Sequence, residues 1–174
     1  MNWHETVLET IDLRSFSNLW FWIFLAVLWS CASHWVFGIP YGLILRAARN
    51  GGQAQQDVEA LADINARRIQ TLWSASGPII TGVLAALVSC LVILGWSFGI
   101  EFAQALTLLL CPFCLIGYIH IDTARRILQS EGQGEALFRR LRILRMLTQL
   151  IGMVAIFVTA MWGMFVNLAL GVFF

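Results

Sequence analysis

Two pairs of residues in this chain are of types that do chemistry when brought together. Cys111 and Cys114 stand in the run Cys111-Pro112-Phe113-Cys114, and a C-x-x-C pair can close a disulfide. His34 and His120 fall in two separate apolar runs, and two histidines facing each other from different helices can ligate a b-type haem. A third group, Arg139, Arg140, Arg142 and Arg145, suits contact with anionic lipid headgroups.

Other chemistries are poorly served. The carboxylates are scattered, and no His/Cys/Asp cluster has metal-ligand spacing. There is no G-x-x-x-x-G-K-[ST] and no G-x-G-x-x-G run. The chain has no lysine at all, so Schiff-base and P-loop lysine mechanisms are excluded. Juxtamembrane arginines are usual topology signals and lipid contacts, so no nucleic-acid partner is expected.

The elements that must position these residues follow from where charge is missing. The chain has 174 residues, 59% of them hydrophobic and 12% charged, about half the charged share of an ordinary soluble domain. No Asp, Glu, Lys or Arg occurs in 15–45, 69–100, 102–121 or 146–174. Each run meets the length of roughly 20 apolar residues that a helix needs to cross the bilayer core. The first run does not read as a cleaved signal peptide, because its upstream flank is acidic and no small-residue cleavage site follows.

All eleven cations are arginines. Every one but Arg14 lies between Arg46 and Arg68 or between Arg125 and Arg145. Short arginine-rich connections stay in the cytoplasm. The expectation is an all-α, polytopic four-helix membrane bundle in one domain, 1–174, with both termini outside. Its spans are placed at about 17–37, 73–97, 102–121 and 147–172. The cytoplasmic connections, 46–72 and 122–146, carry short amphipathic helices. Trp20, Trp22 and Trp96 fall at the outer boundaries and Trp35 and Trp73 at the inner ones, as interfacial indoles should.

Along the chain, Trp3, Val7 and Ile11 recur at helical spacing, and 2–13 is expected to be a helix on the outer surface. Gly38-Ile39-Pro40-Tyr41-Gly42 breaks the first long run, since proline removes a donor and clashes with the preceding turn. The crossing is expected to end near Phe37, with a kinked extension to Arg49. Asn50-Gly51-Gly52 is a turn. Val58, Leu61, Ala62, Asn65, Ile69 and Leu72 then form an apolar stripe. Pro112 is expected to kink the third span, and Gly132-Gln133-Gly134 to end its extension. Leu137, Phe138, Leu141 and Leu144 form the inner face of the basic helix that feeds the fourth span.

Membrane helices associate through close packing and hydrogen bonds, so small residues mark contact faces. Ala155, Thr159, Gly163, Asn167 and Gly171 recur every four residues in the fourth span, and Gly82, Ala86 and Cys90 do so in the second. Either stripe can serve the bundle interior or a helix of another protein.

The cysteine pair in a four-helix frame resembles the quinone-coupled thiol oxidases, DsbB-like or vitamin K epoxide reductase-like. That resemblance implies a pair near the outer surface and a second pair in an outer loop. Here the pair lies midway between Glu101 and Asp122, and Cys31 and Cys90 lie inside other spans. The cysteines are therefore read as small packing residues. His34 and His120 both fall near the inner boundary, where an imidazole is inexpensive and packing suffices to explain it. The stretches Asp12-Leu13-Arg14-Ser15-Phe16-Ser17-Asn18-Leu19-Trp20, Ala32-Ser33-His34-Trp35 and Gln149-Leu150-Ile151-Gly152-Met153-Val154 resemble a small family of bacterial four-helix inner-membrane proteins. Some of its members are labelled a component of the Suf iron–sulfur assembly complex. The resemblance implies no catalytic residue.

The expectation is a non-catalytic accessory, assembly or stabilising subunit of a larger inner-membrane complex, of the electron-transfer or energy-transducing kind. Its expected partners are other integral membrane subunits and phospholipids, and no cofactor is expected. The alternative is a membrane thiol/quinone oxidoreductase or haem b carrier using Cys111 and Cys114 or His34 and His120.

Overall fold

The computed structural model describes residues 16, 18–129 and 134–171. The expected surface helix at 2–13 lies outside the described residues, as does most of the turn at 132–134. Five helices account for nearly all the rest: α1 (Leu19–His34), α2 (Tyr41–Asn50), α3 (Gly52–Val92), α4 (Glu101–Gln129) and α5 (Gly134–Gly171). Between α1 and α2 sits a small hairpin, β1 (Trp35–Val36) and β2 (Ile39–Pro40). A π-helical turn, Ile93–Ser97, extends α3.

Three helices, α3 with its π turn, α4 and α5, are long and apolar enough to cross a membrane. This is the build of a multi-pass membrane protein. α1 is apolar but shorter, with 16 residues, or about 24 Å of helix. Asn18 caps it, its Oδ1 accepting the Trp20 backbone N–H at 3.0 Å, a common remedy for the free donors of a first turn.

The end of α1 differs from the expected crossing to Phe37 with a kinked extension. The helix stops at His34, and the chain reverses in a two-residue turn, pairing Trp35 with Pro40 and Val36 with Ile39. Both turn residues are left-handed, Phe37 at φ 57° and Gly38 at φ 75°. That is the geometry which suits the twist of a tight hairpin. It is strained for phenylalanine. Two contacts hold it: the Asn65 Nδ2 donates to the Phe37 carbonyl at 3.0 Å, and the Phe37 ring is buried edge-on to His120, centroids 6.0 Å apart. Pro40 precedes α2 rather than kinking a longer helix.

α3 is one helix of 41 residues, about 60 Å long, roughly twice the hydrocarbon thickness. Its first half is therefore outside any apolar layer. α4 runs unbroken through Pro112. α5 carries the basic segment and the apolar segment as one helix of 38 residues.

The largest core lies at the arginine-rich end. There the hairpin, α2, the first half of α3, the last turns of α4 and the first half of α5 converge. Val58, Ala62 and Ala66 of α3 meet Ala124 and Ile127 of α4 and Leu137, Phe138, Leu141 and Leu144 of α5. The buried α3 face is thus Val58–Ala62–Ala66, not the full expected stripe. Leu61 and Leu72 are exposed, because the closely packed Ala62 and Ala66 rotate the seam by part of a turn. A smaller core joins Leu25 and Trp29 of α1 to Ile116 and Phe113 of α4 and Ile151 and Ala155 of α5. In the apolar region α1, α4 and α5 form a bundle, and α3 flanks it against α4.

Candidate functional site

Two hollows and one buried polar junction gather most of the residues with chemical potential. α3 and α4 meet at the arginine-rich core and again at the far end, leaving a cavity of about 790 Å³ between. α3 lines it with Ile69, Leu72, Trp73, Ile80, Leu84 and Val88, and α4 with Leu110, Cys111, Cys114, Tyr118, His120 and Ile121. Trp73 lies along its own helix over Gly77, where an added Cβ would stand 3.1 Å from the indole. Glycine there gives the ring its place in the cavity wall. The Thr81 hydroxyl donates back to the Gly77 carbonyl at 2.8 Å. The lining is therefore apolar except for Tyr118, His120 and the thiols.

Cys111 is exposed and Cys114 half-buried, both as free thiols. Their i, i+3 spacing puts both on the α4 face that looks at α3. Three of the four redox or haem candidates thus share one hollow. His34 does not join them. It lies at the end of α1, against Trp35 at 6.5 Å, in a second cleft lined by Ser30, Cys31, Ser33, His34, Trp35 and Arg145. The two histidines face different spaces. Among the described residues no group of three or more His, Cys, Asp or Glu could hold a metal ion.

The polar junction was not legible beforehand. Gln104 of α4 is buried; its Nε2 donates to the Gly95 carbonyl at 2.7 Å, and its Oε1 accepts from the Trp162 indole at 2.9 Å. One amide thereby ties the π turn, α4 and α5. The chain segments approach closely at Gly95, where a Cβ would lie 3.0 Å from Gln104 Cγ and 3.1 Å from its backbone nitrogen. Trp162 also packs on Trp96 and Phe165, at 5.5 and 5.6 Å.

The small-residue stripes have different fates. On α5, Ala155 packs into the smaller core, Thr159 is buried, and Gly163 lies under Phe16, with a Cβ position 3.0 Å from its ring. Gly152, one position off the expected register, lies under Trp29, where a Cβ would be 2.7 Å from Cε3. This stripe is occupied by Trp29 of α1 and by Phe16, ahead of that helix. Asn167 is on the exposed side, and Gly171 ends the helix. On α3, Gly82, Ala86 and Cys90 are all exposed, with nothing within 4 Å of the Gly82 Cβ position.

The four basic candidates also separate. Arg139 and Arg142 are exposed. Arg140 donates to the Arg126 carbonyl at 2.7 Å, tying α5 to α4. Arg145 turns inward, its guanidinium carbon 3.4 Å from the Tyr41 ring centroid. At the start of α5, Glu59 Oε1 accepts from the Gly134 backbone N–H at 2.8 Å, which caps that helix with a carboxylate 75 residues away in sequence.

A periodic signal could have found the cavity wall. Ile69, Trp73, Gly77, Ile80, Leu84 and Val88 follow a heptad-like spacing along α3. No such signal marks Gln104, whose partners come from two distant segments. Comparison with protein-family models, curated proteins and solved structures finds no match to this chain.

Proposed function

We propose that the chain is a non-catalytic accessory, assembly or stabilising subunit of a larger inner-membrane complex, with α3 as the helix that receives its partner. One observation carries this reading. Only 6% of the most apolar 18-residue stretch of α3 is buried within the chain, against 28% for α4. The Gly82–Ala86–Cys90 ridge lies in that stretch, and small residues let another helix approach closely. The corresponding ridge on α5 is already filled by Trp29 and Phe16. In this reading α1 is a fourth, short crossing. Its 16 residues fall somewhat below the usual span length, a mismatch that local bilayer thinning accommodates. The arginine-rich end is cytoplasmic and both termini are outside.

The test is mild extraction followed by mass spectrometry of companions. The expected result is stoichiometric co-purification with other integral membrane subunits. Gly82→Leu should abolish it while leaving the chain folded, because the position has open space around it. Extraction of free monomer alone overturns the reading.

A second reading has an observation of its own. Cys111 and Cys114 share an apolar cavity of ligand size with Tyr118 and His120. A quinone seated there could accept two electrons and two protons as the dithiol closes to a disulfide, leaving as quinol. Thiol trapping in intact membranes distinguishes the readings: a redox pair is part-oxidised and shifts with quinone reduction, whereas packing cysteines stay reduced.

A further inference from the structure

We propose that the cleft between the end of α1 and α5 binds the phosphate group of an anionic lipid headgroup, with Arg145 as its central ligand. The cleft encloses about 410 Å³ and is lined by Ser30, Cys31, Ser33, His34, Trp35 and Arg145. Arg145 is fixed by stacking on Tyr41, and its Nε is buried without a hydrogen-bond partner among the described residues. A buried donor on a charged group left unmatched is costly. The chain has little with which to match it. α1, the hairpin and α2 contain no Asp or Glu, and the nearest carboxylate on α5, Glu135, is ten residues back along the helix.

The guanidinium has further N–H donors besides Nε, and Arg145 lines the cleft, where an external anion can supply the counter-charge. Guanidinium binds phosphate oxygens through paired, charge-assisted hydrogen bonds. Ser30 and Ser33 add hydroxyl donors and His34 a ring N–H, all from the last turn of α1. That turn also presents helix carbonyls, whose partial charge of about −0.5 opposes an anion. A full positive charge in direct contact outweighs it, and the Trp35 N–H already engages the Cys31 carbonyl.

Position selects the lipid as the source. Arg145 is the last charged residue before the uncharged run 146–174, which puts the cleft where headgroup phosphates lie. Trp35 beside it is half-exposed, as an interfacial indole would be. The site does not depend on the subunit reading, since none of its lining residues lies on α3.

The full chain, purified in a neutral detergent, would be titrated with phosphatidylglycerol, phosphatidylcholine and inorganic phosphate. Thermal unfolding and native mass spectrometry are the readouts. Phosphatidylglycerol is expected to raise Tm and persist as a one-to-one adduct. Arg145→Gln should weaken it by at least about tenfold, the loss of one charge-assisted pair. Arg139→Gln and Arg142→Gln should leave the adduct intact. If Arg145→Gln does not fold, the double variant Ser30→Ala/Ser33→Ala carries the test, with a smaller expected loss. Equal protection by inorganic phosphate overturns the lipid source. Equal adducts from phosphatidylcholine overturn the anionic-lipid assignment, and phosphatidylglycerol binding unchanged in the cleft variants overturns the site.

Discussion

The arginine-rich end and the apolar region are built on different principles, although α3 and α5 run continuously through both. At the arginine-rich end Val58, Ala62, Ala66 and Leu141 are 0% exposed, and the helices close around a core like that of a small soluble domain. In the apolar region most large side chains face outward, and only 17% of the most apolar stretch of α5 is buried. Water accounts for the first arrangement, because burying apolar surface from it is favourable. Lipid accounts for the second. Tails are as apolar as leucine, so helices there join only where shape or hydrogen bonding gives a specific gain. The gains are few and identifiable: Gly152 under Trp29, Gly163 under Phe16, and the Gln104 amide between Gly95 and Trp162.

Matched substitutions in the two regions test this contrast. The largest effect is expected for Leu141→Ala, which empties a fully buried position and should cost about 2–5 kcal/mol in denaturant unfolding. The same truncation at Leu168, exposed in the apolar region, should cost less than about 0.5 kcal/mol. Equal losses would mean that one driving force governs both regions.

Next comes a glycine pair. Gly152→Ala places a methyl against Trp29 and should destabilise by about 1–3 kcal/mol. Gly82→Ala meets open space and should be neutral, or stabilise by up to about 1 kcal/mol through helix propensity. Gln104→Leu leaves the Trp162 N–H and Gly95 carbonyl without their partner. A loss of about 1 kcal/mol is expected, within the range of interhelical hydrogen bonds in membranes, with a changed emission from Trp162. Asn65→Ala releases the Phe37 carbonyl and should cost about 1 kcal/mol. Hydrogen exchange would show it as faster opening of the hairpin than of the α5 core. The smallest effect belongs to the exposed pair Arg67 and Asp63, 2.8 Å apart. Asp63→Asn should change stability by less than about 0.5 kcal/mol.

Much of this frame was legible because hydrocarbon imposes a length and a charge rule on any chain that crosses it. The long apolar helices and the arginine-rich connections follow from those rules alone. The inner face Leu137–Leu144 was legible from its period, and so was part of the α5 stripe, at Ala155, Thr159 and Gly163. Three things escaped. The hairpin did, because phenylalanine is not a turn residue and its left-handed backbone is held by Asn65, 28 positions away. The seam of α3 did, because alanines at 62 and 66 pack more closely than the leucines beside them. The separation of His34 from His120 did as well. Equal depth in two helices says nothing about which way each ring is turned.

The origin of the arginine-rich core in the chain has a kinetic consequence. Its last wall, Leu137, Phe138, Leu141 and Leu144, comes from the fifth helix, whereas the opposing residues begin at Val36. Synthesis therefore delivers four helices before the surface that closes the core exists. Val36, Ile39 and Ala62 must wait, uncovered, until the segment beyond Gly134 arrives. Contacts so distant in sequence form slowly, and exposed apolar surface in the interval invites wrong association. Closure of this core waits on α5, and a ribosome stalled before Gly134 would hold a chain whose apolar core is still open to capture by a chaperone.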